Sequence, residues 1–184
     1  MKDNLILFYL SLLVIILAVS GFFLFRQILK TRGKDKRIAT LQKQVKDQSA
    51  TAKEYYELAS LYVEKKLYVQ ATKLLQKAVK FKTLEEENRA LIYNAMGYAY
   101  FAQGQYDLAI RQYKEALKFY PEYVIALNNL ANAYQQKKLT AQAIETYEAT
   151  LKYDPENQIA NRQLEKLRKR FVKQPNQEEE TSKK

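Results

Sequence analysis

YNAMGYAYFAQGQYDLAIRQYKEALKFYP, residues 93–121, sets tyrosines, alanines and two glycines at recurring intervals and carries no obvious catalytic residue. It is open to three readings: a nucleotide loop, an aromatic cofactor pocket, or helix packing. The flanking sequence separates them. At an offset of thirty-four residues, Met96 falls on Leu130, Gly97 on Ala131, Tyr100 on Tyr134, Gly104 on Lys138, Ala109 on Ala143, Tyr113 on Tyr147 and Pro121 on Pro155. Upstream, Leu58, Ala59, Tyr62, Tyr68, Ala71, Leu75 and Ala78 copy Met96, Gly97, Tyr100, Tyr106, Ala109, Tyr113 and Ala116 at an offset of thirty-eight. Self-similarity at a fixed period is the mark of a repeat array. The units are residues 52–85, 90–123 and 124–157, with four extra residues between the first and second. These fall around Glu85, Glu86, Glu87 and Asn88, an acidic stretch suited to a loop or to the first turn of a helix, where negative charge opposes the positive dipole end.

Large, small and aromatic residues in this order resemble the tetratricopeptide repeat, a helix-turn-helix unit of 34 residues. The second repeat matches at Tyr93, Met96, Gly97, Tyr100, Gly104, Tyr106, Ala109, Tyr113, Ala116 and Pro121. The third has Lys138, Thr140 and Thr150 in place of Gly104, Tyr106 and Ala116; the first has Lys66 at the turn glycine and Thr83 for the proline. A non-glycine residue in a left-handed turn costs on the order of 1 kcal/mol, so those two turns are expected to be less sharp. The small residues let two helices approach and the large ones fill the gaps, leaving each unit with an apolar face that only stacking can bury. The expected fold is all-α: an N-terminal transmembrane helix, then a right-handed α-solenoid of three repeats closed by a capping helix over residues 158–173. In that helix Ile159, Leu164, Leu167 and Phe171 line one side and the Arg/Lys set covers the other. The tail, 174–184, with Glu178, Glu179 and Glu180, has little to bury and is expected to be disordered.

Beyond a four-residue N-terminus (1–4), residues 5–25, LILFYLSLLVIILAVSGFFLF, carry no charge. As a helix they span about 30 Å, the thickness of a bilayer core. Ala18 and Ser20 form a small-residue site before Gly21, but the apolar run continues through Phe25, and the hydrophobic regions of cleaved signals are about 7–15 residues long, which favours an uncleaved anchor. Arg26, Lys30, Arg32, Lys34, Lys36, Arg37, Lys43 and Lys46 follow the span, so the rest of the chain is expected on the cytoplasmic or stromal side. The basic segment 26–51 reads as a polar, helix-compatible linker in which Ile38, Leu41 and Val45 hint at a short seam; its bases also suit an anionic lipid surface.

The net charge of +11 raises the question of nucleic acid. Residues 52–157 hold fourteen Lys/Arg against thirteen Asp/Glu, so the excess sits beside the span and in the capping helix rather than across the repeats. With no basic stripe and no recognised nucleic-acid signature, such binding is not expected. The chain contains neither Cys nor His, which removes thiol nucleophiles, Cys/His zinc sites and His-dependent triads. Gly97 and Gly104 lie seven apart and form no phosphate loop, and no catalytic, cofactor or metal residue is expected.

Resemblance to tetratricopeptide proteins implies a protein-binding groove lined by the first helix of each repeat. Carried onto this chain, it points to Asn94, Tyr98, Phe101, Asn128, Asn129, Asn132, Gln135, Gln136, Arg162 and Lys166. Amides suit extended backbone because each donates and accepts, and Tyr98 and Phe101 are aromatic anchors if they are not packed against a neighbouring repeat. The two-carboxylate clamp of chaperone-docking relatives needs Lys and Asn where this chain has Tyr56 and Ser60, which disfavours that mode.

The architecture and a lysine-rich, AT-biased composition are similar to the small membrane-anchored photosystem I assembly proteins of cyanobacteria and algal plastids, the hypothetical chloroplast open reading frame thirty-seven family. The resemblance implies a thylakoid protein with stromal repeats that assists photosystem I subunits or their assembly intermediates, without a cofactor of its own. The other reading of the same features is a bacterial-type tethered adaptor that docks a chaperone or secretion component.

Overall fold

In the computed structural model, residues 2–173 are described, with side chains at 9–27 and 32–169. The expected disorder of 174–184 and the expected packing of Phe171 lie outside these residues. Every regular element among them is a helix: α1 (Lys2–Lys46), α2 (Ala52–Glu64), α3 (Tyr68–Ala78), α4 (Glu86–Ala102), α5 (Tyr106–Phe119), α6 (Val124–Gln136), α7 (Thr140–Tyr153) and α8 (Gln158–Lys173). The chain divides into two compact units, Met1–Ser49 and Ala50–Lys184.

The first unit is α1. It is long and apolar enough to cross a membrane, and its side chains from Tyr9 to Phe25 are exposed, as a lipid-facing surface would be. Ser20, a hydroxyl within this run, donates back to the Ile16 carbonyl at 2.7 Å, so its polar group is satisfied within the helix. The helix does not break after the apolar run: the basic segment continues it to Lys46. There Gln48 turns left-handed (φ 56°), and the amides of Gln48 and Ser49 bond back to the Val45 and Gln44 carbonyls, a closure that ends helices by satisfying their last acceptors.

The second unit stacks three hairpins, α2/α3, α4/α5 and α6/α7, with α8 on α7; consecutive helices pack, as do α2 with α4 and α4 with α6. Its start is fixed locally: Thr51 accepts from the Glu54 amide while the Glu54 carboxylate accepts from the Thr51 amide at 2.7 Å, a reciprocal cap on α2. Large and small repeat positions form the core, among them Leu58, Ala59, Leu75, Met96, Ala109, Tyr113, Leu130, Ala131 and Tyr147. Gly97 has no room for a side chain, since a Cβ there would lie 2.5 Å from the Tyr113 ring. Burial pushes the Tyr113 phenol well above its ordinary value, with nearby Tyr98 adding to the effect, and burial pushes Tyr147 up to about 12. Thr150, standing where the second repeat has Ala116, is fully buried and satisfies its hydroxyl on the Thr146 carbonyl at 3.1 Å.

Two expectations change, and a third point, left open between loop and helix, is decided. The turns at Lys66 and Lys138 are as sharp as the one at Gly104: φ is 61°, 59° and 73°, and each returns the same pair of amide bonds to the preceding helix. Leu67, Gln105 and Leu139 donate to the carbonyls of Tyr62, Tyr100 and Tyr134 at 2.8, 3.0 and 2.9 Å, which offsets the strain of a side chain at positive φ. Secondly, Ile159 is exposed; Ala160, Leu164 and Leu167, at i, i+4 and i+7, form the buried stripe of α8. Thirdly, the four extra residues resolve as helix, lengthening α4 by about one turn, to 17 residues against 13 in α2 and α6. Arg89 on this added turn donates to the Val79 carbonyl at 2.7 Å and the Phe81 carbonyl at 3.3 Å, and its guanidinium lies 5.5 Å from the Phe119 ring centre.

Candidate functional site

The first helices α2, α4 and α6, followed by α8, carry the residues that the repeat register assigns to a groove. The structure separates these residues into two sets. Asn94, Asn128, Asn129 and Gln135 hold the array together. Asn94 donates to the Tyr123 hydroxyl at 3.3 Å and accepts from Asn129 at 3.0 Å, joining α4 to α6. Burial first, then neighbouring Tyr56, raises the Tyr123 phenol, against a lowering by the Asn94 bond. Asn128 donates to the Asn157 side-chain oxygen at 3.2 Å, the same oxygen that caps α8 through the Ala160 amide at 3.0 Å. Only 9% exposed, Asn128 is part of the interior, and its own Oδ1 is buried with no partner among the described residues. Gln135 accepts from the Tyr147 hydroxyl at 3.4 Å.

Phe101 belongs with this packing set. It is half-buried against the core of the second and third repeats, with its ring 5.3 Å from that of Tyr106. Tyr98 remains open, at 45% exposure. Gln136, Arg162 and Lys166 are exposed and Asn132 is half-buried. The aromatic pair singled out from sequence is therefore split: one ring welds repeats and the other faces outward.

Two features escaped the sequence reading. A cavity of about 730 Å³ opens where α2 meets the connection into α4; Tyr56, Phe81, Leu84, Leu91 and Ile92 give it apolar walls and Lys53 stands among them. It lies at the joint that the added turn enlarges. The second is a row of exposed aliphatic side chains at one register position, Leu91, Ile125 and Ile159, 37%, 57% and 58% exposed. Their signal was the 34-residue spacing itself, which had been read only for the core. Among the described residues no group of three or more potential metal ligands occurs.

Comparison with known proteins agrees with this geometry. A TPR repeat family model matches residues 97–138, and a tetratricopeptide repeat model matches residues 124–157. The chain is similar to the ycf37 protein of Cyanophora paradoxa, 42% identical over 89% of this chain and 95% of that one. It is 37% identical to the chloroplastic tetratricopeptide repeat domain-containing protein PYG7 of Arabidopsis thaliana over 88% of this chain, and spans 54% of that longer protein. Among solved structures it resembles MamA, with a TM-score of 0.65 and 25% identity over 84% of this chain and 95% of that one. A first TPR domain of RPAP3 bound to an HSP90 peptide shares the fold with a TM-score of 0.61 and 19% identity, covering 66% of this chain and 94% of that one.

Proposed function

The chain belongs to the ycf37 family of tetratricopeptide repeat proteins, and from that premise we propose that it is a membrane-anchored scaffold for the assembly or stability of photosystem I. The observation that carries this reading is the union, in one chain, of a lipid-compatible helix with a repeat array of the kind that binds protein. α1 inserts in the thylakoid membrane through residues 5–25, its basic continuation stays on the stromal side beside anionic headgroups, and the repeats work in the stroma. Confinement to the membrane raises the effective concentration of partners that share it, so modest groove affinity suffices.

The partner meets the open members of the groove set, Tyr98, Asn132, Gln136, Arg162 and Lys166, while Asn94, Asn128, Asn129, Gln135 and Phe101 keep that surface in shape. The test is affinity purification of the full chain from solubilised thylakoid membranes, followed by identification of what co-purifies. Photosystem I subunits or assembly intermediates are the expected yield. Recovery of a chaperone or of secretion components alone would replace this reading with the adaptor one.

A further inference from the structure

Leu91, Ile125 and Ile159 stand exposed at equivalent positions of α4, α6 and α8. Isolated exposed aliphatics are ordinary; three at one register position make a line, and such apolar lines mark interaction sites. Each is preceded closely by an exposed carboxylate: Glu87 by four residues, Glu122 and Glu156 by three. The connections around them, residues 80–88, 120–123 and 153–157, carry Glu85, Glu86, Glu87, Glu122, Asp154 and Glu156 against Lys80 and Lys82; Lys53 holds the equivalent position on α2 and Arg162 stands one turn beyond Ile159, so acids outnumber bases six to four. An anionic bilayer would be repelled by this border. A helix bearing Lys or Arg beside its apolar face would be attracted.

Residues seven apart stand on one face of a helix, two turns and about 10.5 Å from each other, so a single apolar stripe of a partner helix can meet successive members of the row. Leu91 also walls the cavity beside Tyr56, Phe81 and Leu84, which gives the end of such a helix a place for one bulky apolar side chain.

We infer that this acid-bordered row is the docking line for an amphipathic helix of a partner protein, with apolar residues at seven-residue intervals flanked by Lys or Arg. The inference rests on the scaffold reading and specifies the partner's chemistry.

The test uses the full chain in nanodiscs of zwitterionic lipid and two labelled helical peptides of about eighteen residues. They share leucines at every seventh position and differ only in Lys or Glu flanks. Fluorescence anisotropy at low salt is expected to show the Lys-flanked peptide binding about tenfold or more tightly than the Glu-flanked one. Ile125→Asp and Ile159→Asp should each weaken it about tenfold, and Glu122→Lys with Glu156→Lys should invert the preference. Unchanged far-ultraviolet circular dichroism separates these effects from misfolding. Equal affinity for the two peptides, or wild-type affinity in both Asp variants, overturns the proposal. Because the chain has no cysteine, a bimane placed through Ile125→Cys reports the row alone, and its quenching by brominated lipid would show a bilayer contact and overturn it as well. Photosystem I subunits captured equally by the wild type and by Ile125→Asp would remove the row and leave the scaffold standing. Peptide binding that persists while no such subunit is captured would support the row and remove the photosystem reading.

Discussion

The joint between repeats one and two and the joint between repeats two and three share a register and are filled differently. At the first, Gln76 donates to the Tyr100 hydroxyl at 3.2 Å; at the second, Lys114, the residue thirty-eight positions on, lies 5.7 Å from the centre of the corresponding Tyr134 ring. The second joint is closed by the bond from the Asn129 amide to Asn94 at 3.0 Å, with Tyr120 stacked on Tyr123 at 5.6 Å in the connection that enters α6. The first carries the added helical turn, the Arg89 contacts and an open cavity. Four residues are close to one turn of helix, so the insertion leaves the packing face of α4 where the repeat needs it and changes only what stands at the joint. A repeat array accepts extra residues cheaply when they arrive in whole turns.

The largest expected contrast is alkaline. Tyr113 and Tyr147 fill the cores of repeats two and three, where repeat one has Leu75. Their folded-state pKa values are raised, so the folded state holds these protons more tightly. Their contribution to stability is intact below pH 10 and is lost as pH rises above it, through about 12 for Tyr147 and at still higher pH for Tyr113. Circular dichroism above pH 10 should show unfolding that Tyr113→Phe and Tyr147→Phe shift to higher pH, whereas repeat one has no phenol to titrate at the equivalent Leu75.

Removing the ring that packs at the second joint comes next. Phe101→Ala should cost about 2–3 kcal/mol in thermal or urea unfolding, because it opens space beside Tyr106. Tyr98→Ala should stay within about 0.5 kcal/mol and lower partner capture instead. If both variants unfold the array, the separation of packing ring from open ring is wrong. At the first joint, Arg89→Ala should cost about 2 kcal/mol, since two carbonyls lose a charged donor. A smaller loss would mean that water replaces the guanidinium.

The turns provide the finest comparison. Gly104→Ala should lose about 1 kcal/mol, whereas Lys66→Gly and Lys138→Gly should gain up to about 1 kcal/mol, each read as a shift in urea midpoint. Opposite signs at the three sites would establish that the lysines are held at positive φ by their amide bonds.

Much of this was legible in the sequence. Tyr100 and Tyr134 set the register, and the register placed the turn at Gly104, the close approach at Gly97 and the buried rings of Tyr113 and Tyr147. The extra residues were located too, although whether they formed a loop or a turn of helix was decided by how α3 and α4 meet. The groove was only half readable. Register assigns a face to Asn128 but cannot disclose that its amide is taken by Asn157, twenty-nine residues on, because that pairing depends on where α8 docks. Ile159 was misplaced for a related reason: an amphipathic helix fixes its buried stripe to within one residue only when its partner surface is known. Leu91, Ile125 and Ile159 went unread as a row because exposed aliphatics look like core in a linear sequence.

Arg89 has a bearing on how the array comes apart. Linear arrays behave as chains of units coupled to their nearest neighbours, and weak coupling lets terminal units fray independently. Arg89, on the added turn of α4, bonds backward to the end of repeat one and rests forward on Phe119 at the end of α5. A single side chain thus ties the closing segments of two hairpins, and neither can loosen there without disturbing the other. Repeats one and two, so linked, would melt as one cooperative block, and amide exchange in α3 would be governed by the opening of α4 and α5 as much as by its own.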